Sequence, residues 1–286
     1  MSGSISFLPA LISGLFPNNA TSATGSILGV VFGTGTSATN GLGQNPVTAL
    51  DNAEQNETQE VKATAEQPAV ARDIAAFAKA VQTATSPQQL LDNPTAMKVL
   101  LTANGLGDQL NYTALAQKAL LSNVNDPKSL ANTLSNTQWK SVAQTYDFAN
   151  KGLSIIQNAK VISTITNAYA EVTWRQSLDA STPGLSNALT FRAEAGSVTK
   201  VDQILGDPIL RTVVTTALGI PEQIAFQPLE AQEKAITNRL DISKLQNPQF
   251  VETFAQRYLI TMAGSSSASS SPGLTALAVQ SRSLVV

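Results

Sequence analysis

Between about Ala69 and Met262, apolar residues return at intervals of three and four, the spacing that lays one stripe along an α-helix. Ile74, Phe77, Ala78 and Val81 form one such set, and Ala96, Val99, Leu100 and Ala103 form another after Pro94. Asn93 is placed to cap that second helix, Pro94 to occupy its first turn, and Gly105 to end it. Leu115, Leu120 and Leu121 predict a further helix, and Asp126 followed by Pro127 starts the next by the same chemistry. From Thr137 to Ser177 the pattern through Trp139, Val142, Tyr146, Leu153, Ile156, Val161, Ile165, Ala168 and Val172 predicts one long helix or a bent pair, with Gly152 at the bend. No comparable stretch alternates with period two, so the predicted fold class is all-α.

The body is internally repeated. Phe77 falls on Phe191, and that register holds without a gap through Leu110 on Ile224. Thr85/Thr199, Gln89/Gln203, Leu91/Leu205, Pro94/Pro208, Val99/Val213, Ala103/Ala217 and Gly105/Gly219 are identical pairs, falling on the capped start, the apolar face and the glycine stop. Further on, Leu134, Asn136, Gln138 and Trp139 pair with Leu245, Asn247, Gln249 and Phe250, a register three residues shorter. The expected organisation is a flexible leader over 1–68, a helical repeat over 69–152, a linking helix over 153–180, a second repeat over 181–262, a Ser/Gly linker over 263–273 and an apolar tail over 274–286.

The segments Phe77-Ala78-Lys79, Gln89-Leu90-Leu91 with Asn93-Pro94, Asn104-Gly105-Leu106-Gly107-Asp108 and Asp126-Pro127-Lys128-Ser129-Leu130-Ala131-Asn132 resemble, in that order, a domain-of-unknown-function family of alphaproteobacterial proteins. Asn167-Ala168-Tyr169 to Trp174, followed by Asn187-Ala188-Leu189-Thr190-Phe191, looks like that family's inter-repeat helix and the opening of its next unit. The resemblance spans about Asp73 to Leu259 and implies a repeated helical unit and, because genes of the family are often found among flagellar genes, a role in flagellar assembly or structure. The second copy departs from the pattern, with Pro221 where the first has Gly107 and no counterpart of Asp126–Ser129. No functional residue carries over.

Composition narrows the chemistry. Cysteine and histidine are both absent, which removes disulfides, thiolate nucleophiles, imidazole bases and nearly every structural zinc arrangement. With 18 basic against 20 acidic residues, the chain has no basic stripe to neutralise a phosphate backbone, so nucleic acid is disfavoured. The first basic residue is Lys62, which does not fit a Sec signal. The apolar run Phe7–Phe16 is too short for a bilayer, which takes about 20 residues. Residence in the cytoplasm or export by a flagellar-type route is expected.

Asp108 and Glu222 share a repeat position after the glycine stop, where a carboxylate serves a helix start better than acid–base catalysis. Asp202, Asp207, Glu230 and Glu233 lack the spacing of an acidic calcium loop. The glycines of residues 25–35 lack the lysine of a phosphate cradle. No catalytic, metal, cofactor or small-molecule site is read. Trp139, Phe148, Tyr169, Trp174, Phe191, Phe250, Phe254 and Tyr258 are expected in the core; their alternative is an aromatic-lined groove between the copies.

A non-catalytic structural or assembly protein is therefore expected, acting through protein–protein contacts or self-association. The candidate contacts are the apolar residues of the two ends: Phe7, Leu8, Leu11, Ile12, Leu15, Phe16, Leu274, Leu277, Val279 and Leu284. The C-terminal tail either folds back onto the body or docks on another chain. The alternative function is a soluble adaptor or chaperone-like binder using the surface between the repeats.

Overall fold

The computed structural model describes residues 45–269, and among them every regular element is helical. The candidate contact residues Phe7, Leu8, Leu11, Ile12, Leu15, Phe16, Leu274, Leu277, Val279 and Leu284 lie outside the described residues. The first element is α1, Pro46–Glu66, which overturns the expected leader over 1–68 for that stretch. It begins like the helices the sequence does announce: Asn45 Oδ1 accepts from Val47 N at 3.0 Å, and Pro46 fills the first turn. Gln67 alone separates it from α2, Pro68–Thr83.

The first half continues through α3 (Pro87–Leu91), α4 (Pro94–Ala103), a 3₁₀ turn at Gly107–Gln109, α5 (Thr113–Leu120), α6 (Leu130–Thr133) and α7 (Gln138–Tyr146). The stretch from Thr137, expected as one long helix or a pair bent at Gly152, breaks at Gly152 and also at Asp147. Asp147 adopts φ 43° and Gly152 φ 57°, enclosing the short α8 (Phe148–Lys151), and α9 (Ala159–Leu178) starts only after Asn158. Residues from Asp126 turn before α6 begins at Leu130, rather than entering a helix at once.

The second half comprises α10 (Leu185–Ala195), α11 (Val201–Gly206), α12 (Pro208–Ala217), a 3₁₀ turn at Glu222–Phe226, α13 (Leu229–Thr237), another at Ile242–Gln246, and α14 (Pro248–Ser269). Helix α14 runs into the expected Ser/Gly linker, so that segment begins no earlier than residue 270. An established helix adds one backbone bond per residue, and this carries α14 on past Gly264, whose helix cost is about 1 kcal/mol relative to alanine.

Residues paired by the sequence register make matching bonds. Gln89 Oε1 accepts from Thr85 N and Oγ1 at 2.8 and 2.9 Å; Gln203 Oε1 accepts from Thr199 N and Oγ1 at 2.8 and 3.2 Å. Asn93 caps α4 through Ala96 N, and Asp207 caps α12 through Ile209 N and Leu210 N. Helix α4 ends with Leu106 N donating to Leu101 O and Gly105 N to Thr102 O, the paired bonds of a Schellman stop. Ile220 N to Thr215 O and Gly219 N to Thr216 O repeat it, and both glycines are left-handed, at φ 72° and 62°.

Beyond this stretch the bonding supports a different pairing from the one expected. Gln157 Nε2 donates to Ala84 O at 3.2 Å, while Gln246 Nε2 donates to Val198 O at 2.7 Å, and Ala84 and Val198 are themselves register partners. Asn158 caps α9 and Asn247 caps α14, each accepting from the backbone N–H two residues on. Tyr169 OH donates to Asp73, and Tyr258 OH accepts from Asn187, the register partner of Asp73. Ile156-Gln157-Asn158 is therefore the counterpart of Leu245-Gln246-Asn247, not Leu134 and Asn136. From Leu110 to Ile156 is 46 positions and from Ile224 to Leu245 only 21, so the first half is 25 residues longer there. Asn136 misleads because it accepts from Gln138 N in the same local way; the long-range glutamine and tyrosine bonds separate the candidates.

Two hydrophobic cores result. One gathers Phe77, Leu90, Leu100, Leu120, Trp139, Ile156 and Ile165; the other gathers Phe191, Ile204, Val213, Leu245, Phe254 and Tyr258. Helix α9 packs on α4, and α14 packs on α12 and α10. Helix α1 packs against both α9 and α14, sending Ala49, Leu50 and Ala53 into the second core while Val61 touches both cores and Ala65 the first. Leu50 is wholly buried. Leu50→Ala is expected to destabilise the protein by about 2–5 kcal/mol in urea unfolding, the usual cost of truncating a core leucine; an unchanged midpoint would return residues 46–66 to the leader.

Candidate functional site

The aromatic side chains do not line a groove. Trp139, Phe148, Tyr169, Trp174, Phe191, Phe254 and Tyr258 are all buried, with Phe250 half-buried, and the seam between the halves is filled by α1. Phe191 stacks on Phe254 with ring centroids 5.4 Å apart. The seam is where the ionisable residues gather.

Helix α1 carries Asp51, Glu54, Glu57, Glu60 and Glu66 against the single basic Lys62. Its two middle glutamates meet arginines from two different helices. Arg175 Nη2 of α9 pairs with Glu57 at 2.9 Å and with Glu171 at 2.5 Å. Arg192 of α10 pairs with Glu54 through Nη1 and with Glu252 of α14 through Nε at 2.6 Å. Arg175 is 5% exposed, so its charge is taken out of water and is held by a carboxylate on either side. Burial raises the Glu171 carboxyl, with Arg175 partly offsetting it and Glu57 adding to it. Burial likewise lowers the Arg192 guanidinium, against the pull of Glu252 and Asp51.

A second cluster ties α2, α4 and α9. Lys98 Nζ and Tyr169 OH both donate to Asp73 Oδ2 at 2.8 Å, and the lysine lies 5.9 Å above the tyrosine ring. The hydrogen bond from Lys98 holds the Asp73 carboxyl below its usual range, and the same bond raises Lys98. Tyr146 is pushed up to about 12 by burial, partly offset by its bond to Asn104.

A third contact joins the start of α7 to the α11–α12 junction. Thr137 N donates to Gly206 O at 2.9 Å, and Gln138 Nε2 donates to the buried Asp207 at 2.5 Å. A Cβ on Gly206 would lie 2.5 Å from Thr137 Cγ2, so glycine is what lets the two halves touch here. Glu194 of α10 feels this junction: burial first, then the Asp207 carboxylate, push it up to about 8, with Arg175 partly offsetting both.

The carboxylates singled out in the sequence take other places. Asp108 and Glu222 sit exposed in the first turns of two separate 3₁₀ helices, and Asp108 accepts from the Gln109 amide at 2.7 Å; neither turn has a side-chain cap. Asp207 is a buried cap, as its position before Pro208 predicts. Asp202 hydrogen-bonds to Glu233, raising the Glu233 carboxyl, with Glu230 adding to it. Among the described residues, no group of three or more acidic side chains is placed to hold a metal ion, and no helix is long and apolar enough to cross a membrane. What these ionic and hydrogen-bonded groups can do is fix α1, α9, α10 and α14 against one another.

Among the described residues the large apolar side chains left exposed are Tyr112, at 60%, Phe226, at 88%, Leu229 three positions after Phe226, and Ile260 on α14. Tyr112 and Phe226 extend the gap-free register two residues past Leu110 and Ile224. That extension, an aromatic in both copies beside a turn, was the sequence signal for them.

The raised Glu194 fixes a sign for pH dependence. The folded state keeps a proton that the unfolded chain releases near the ordinary value of 4.5, so stability falls as pH rises from there to about 8 and then levels off. Glu194→Gln is expected to flatten that fall and to exceed the parent in urea midpoint above about pH 8; parallel curves would contradict the assignment.

Comparison with curated proteins gives no match. In structure the chain is similar to protein AGR_C_984 from Agrobacterium tumefaciens, with TM-score 0.66 and 22% sequence identity over 77% of this chain and 95% of that one, a likeness that shows the fold. Residues 103–251, just over half of the chain and both sides of the seam, match the family described as protein of unknown function DUF1217. The chain belongs to the DUF1217 family.

Proposed function

We propose that this is a non-catalytic assembly protein, that the flagellum is its setting, and that its N-terminal segment makes the contacts between chains. The setting comes from the family resemblance; the contact role rests on one observation, the placement of α1. Residues 1–44 contain no charged side chain and carry the apolar runs Phe7–Phe16 and Ile27–Phe32. They lead directly into a helix whose first half enters the second core and whose glutamates pair with α9 and α10.

A segment that orders on a partner transmits force or position only if its root is fixed, and α1 supplies such a root to both halves. The adaptor alternative needs an open surface between the halves, and α1 occupies that seam. The test is to compare the full chain with a chain starting at Asn45 by sedimentation over a range of concentrations. The expected result is that the full chain assembles while the shortened one stays monomeric with an unchanged thermal midpoint. Equal assembly of both would overturn the proposal.

A further inference from the structure

The two halves differ most around α5 and its counterpart α13. Helix α5 lies under α6 and α7, which belong to the stretch where the first half is 25 residues longer, and Leu115 packs on the first core. In the second half the chain passes from α13 through one 3₁₀ turn into α14, and α13 packs mainly on α11 and its preceding turn. Leu229, the register partner of Leu115, is 57% exposed beside Phe226. Leu115 is partly buried where Leu229 is bare, while the aromatic pair Tyr112 and Phe226 is exposed in both halves.

The bare face is also acidic. Glu222 shares the 3₁₀ turn with Phe226, while Glu230 and Glu233 follow Leu229 on α13 and Asp202 is bonded to Glu233; Lys234 is the one basic side chain from 222 to 237. The chain beyond α14 has the complementary character. Residues 270–286 carry Leu274, Leu277, Val279, Leu284, Val285 and Val286, and Arg282 is their only charged side chain. Residues 1–44 have no basic side chain with which to meet the acids.

Helix α14 belongs to the second core, so this segment departs from the half that lacks the cover. Seventeen residues reach up to about 55 Å when extended, whereas a body of this size has a radius of gyration of about 17 Å. A short tether holds its end at an effective concentration of order millimolar. We propose that residues 274–286 of the same chain dock on Phe226 and Leu229, with Arg282 facing Glu222, Glu230 and Glu233.

Because the chain has no cysteine, an introduced pair reports the contact without background. Gln227→Cys with Ala278→Cys in the full chain is expected to form an intrachain disulfide under mild oxidation at least tenfold faster than a Lys140→Cys, Ala278→Cys control. Adding Phe226→Ser and Leu229→Ser should remove the difference, and Arg282→Glu should reduce it. In the cysteine-free chain, ending at Ser269 is expected to speed hydrogen exchange over residues 222–237 at least tenfold. Equal disulfide rates, disulfides formed only between chains, or unchanged exchange would each overturn the proposal, the interchain result assigning the face to a second copy.

Discussion

Two arginines decide how the halves of this molecule sit. Arg175 and Arg192 project from α9 and α10 into the seam; Arg175 is held by Glu57 of α1 and by Glu171 of its own helix, and Arg192 by Glu54 of α1 and Glu252 of α14. Removing one partner from a buried pair typically costs about 3–5 kcal/mol because it strands the other charge. Helix α1 is held by these pairs together with its apolar face: Ala49, Leu50, Ala53 and Thr64 are buried, and Val61 and Ala65 pack on the cores. The same pairs orient α9, α10 and α14, the helices that close the two cores.

This dependence explains what could be read from the chain and what could not. The stops at Gly105 and Gly219, the caps at Asn93 and Asp207 and the buried Phe77 and Phe191 are local chemistry, visible wherever a helix begins, ends or turns its apolar face. The all-helical body follows from them. Helix α1 carried the same start signal in Asn45-Pro46, but its glutamates, glutamines and alanines look like a solvated leader until the arginines more than a hundred residues away are considered. The later repeat pairing is obscured for a related reason: Asn136, Asn158 and Asn247 all cap alike, and it takes the reach of Gln157 and Gln246 to distant carbonyls, with the bonds of Tyr169 and Tyr258, to tell which two correspond.

The polar clusters between helices share a purpose that chemistry alone would not suggest. Asp73, Lys98 and Tyr169 fasten three helices of the first half, and Gln138 with Asp207 fastens the first half to the second. Glu194 lies against that last junction, and its reluctance to ionise is the cost of close packing there. Matching bonds recur in each half, while the 25 extra residues of the first half change what each half leaves uncovered.

Each core holds one tryptophan, Trp139 in the first and Trp174 in the second, so each can be watched separately. Full-length Trp139→Phe and Trp174→Phe variants, unfolded in urea and followed by the remaining tryptophan, test directly whether α1 and its ion pairs make the two cores one cooperative body. The transitions are expected to coincide after allowance for each substitution's own effect on far-ultraviolet circular dichroism midpoints. Two separated transitions within either variant, one for the fluorescence and one for the bulk helix signal, would contradict it.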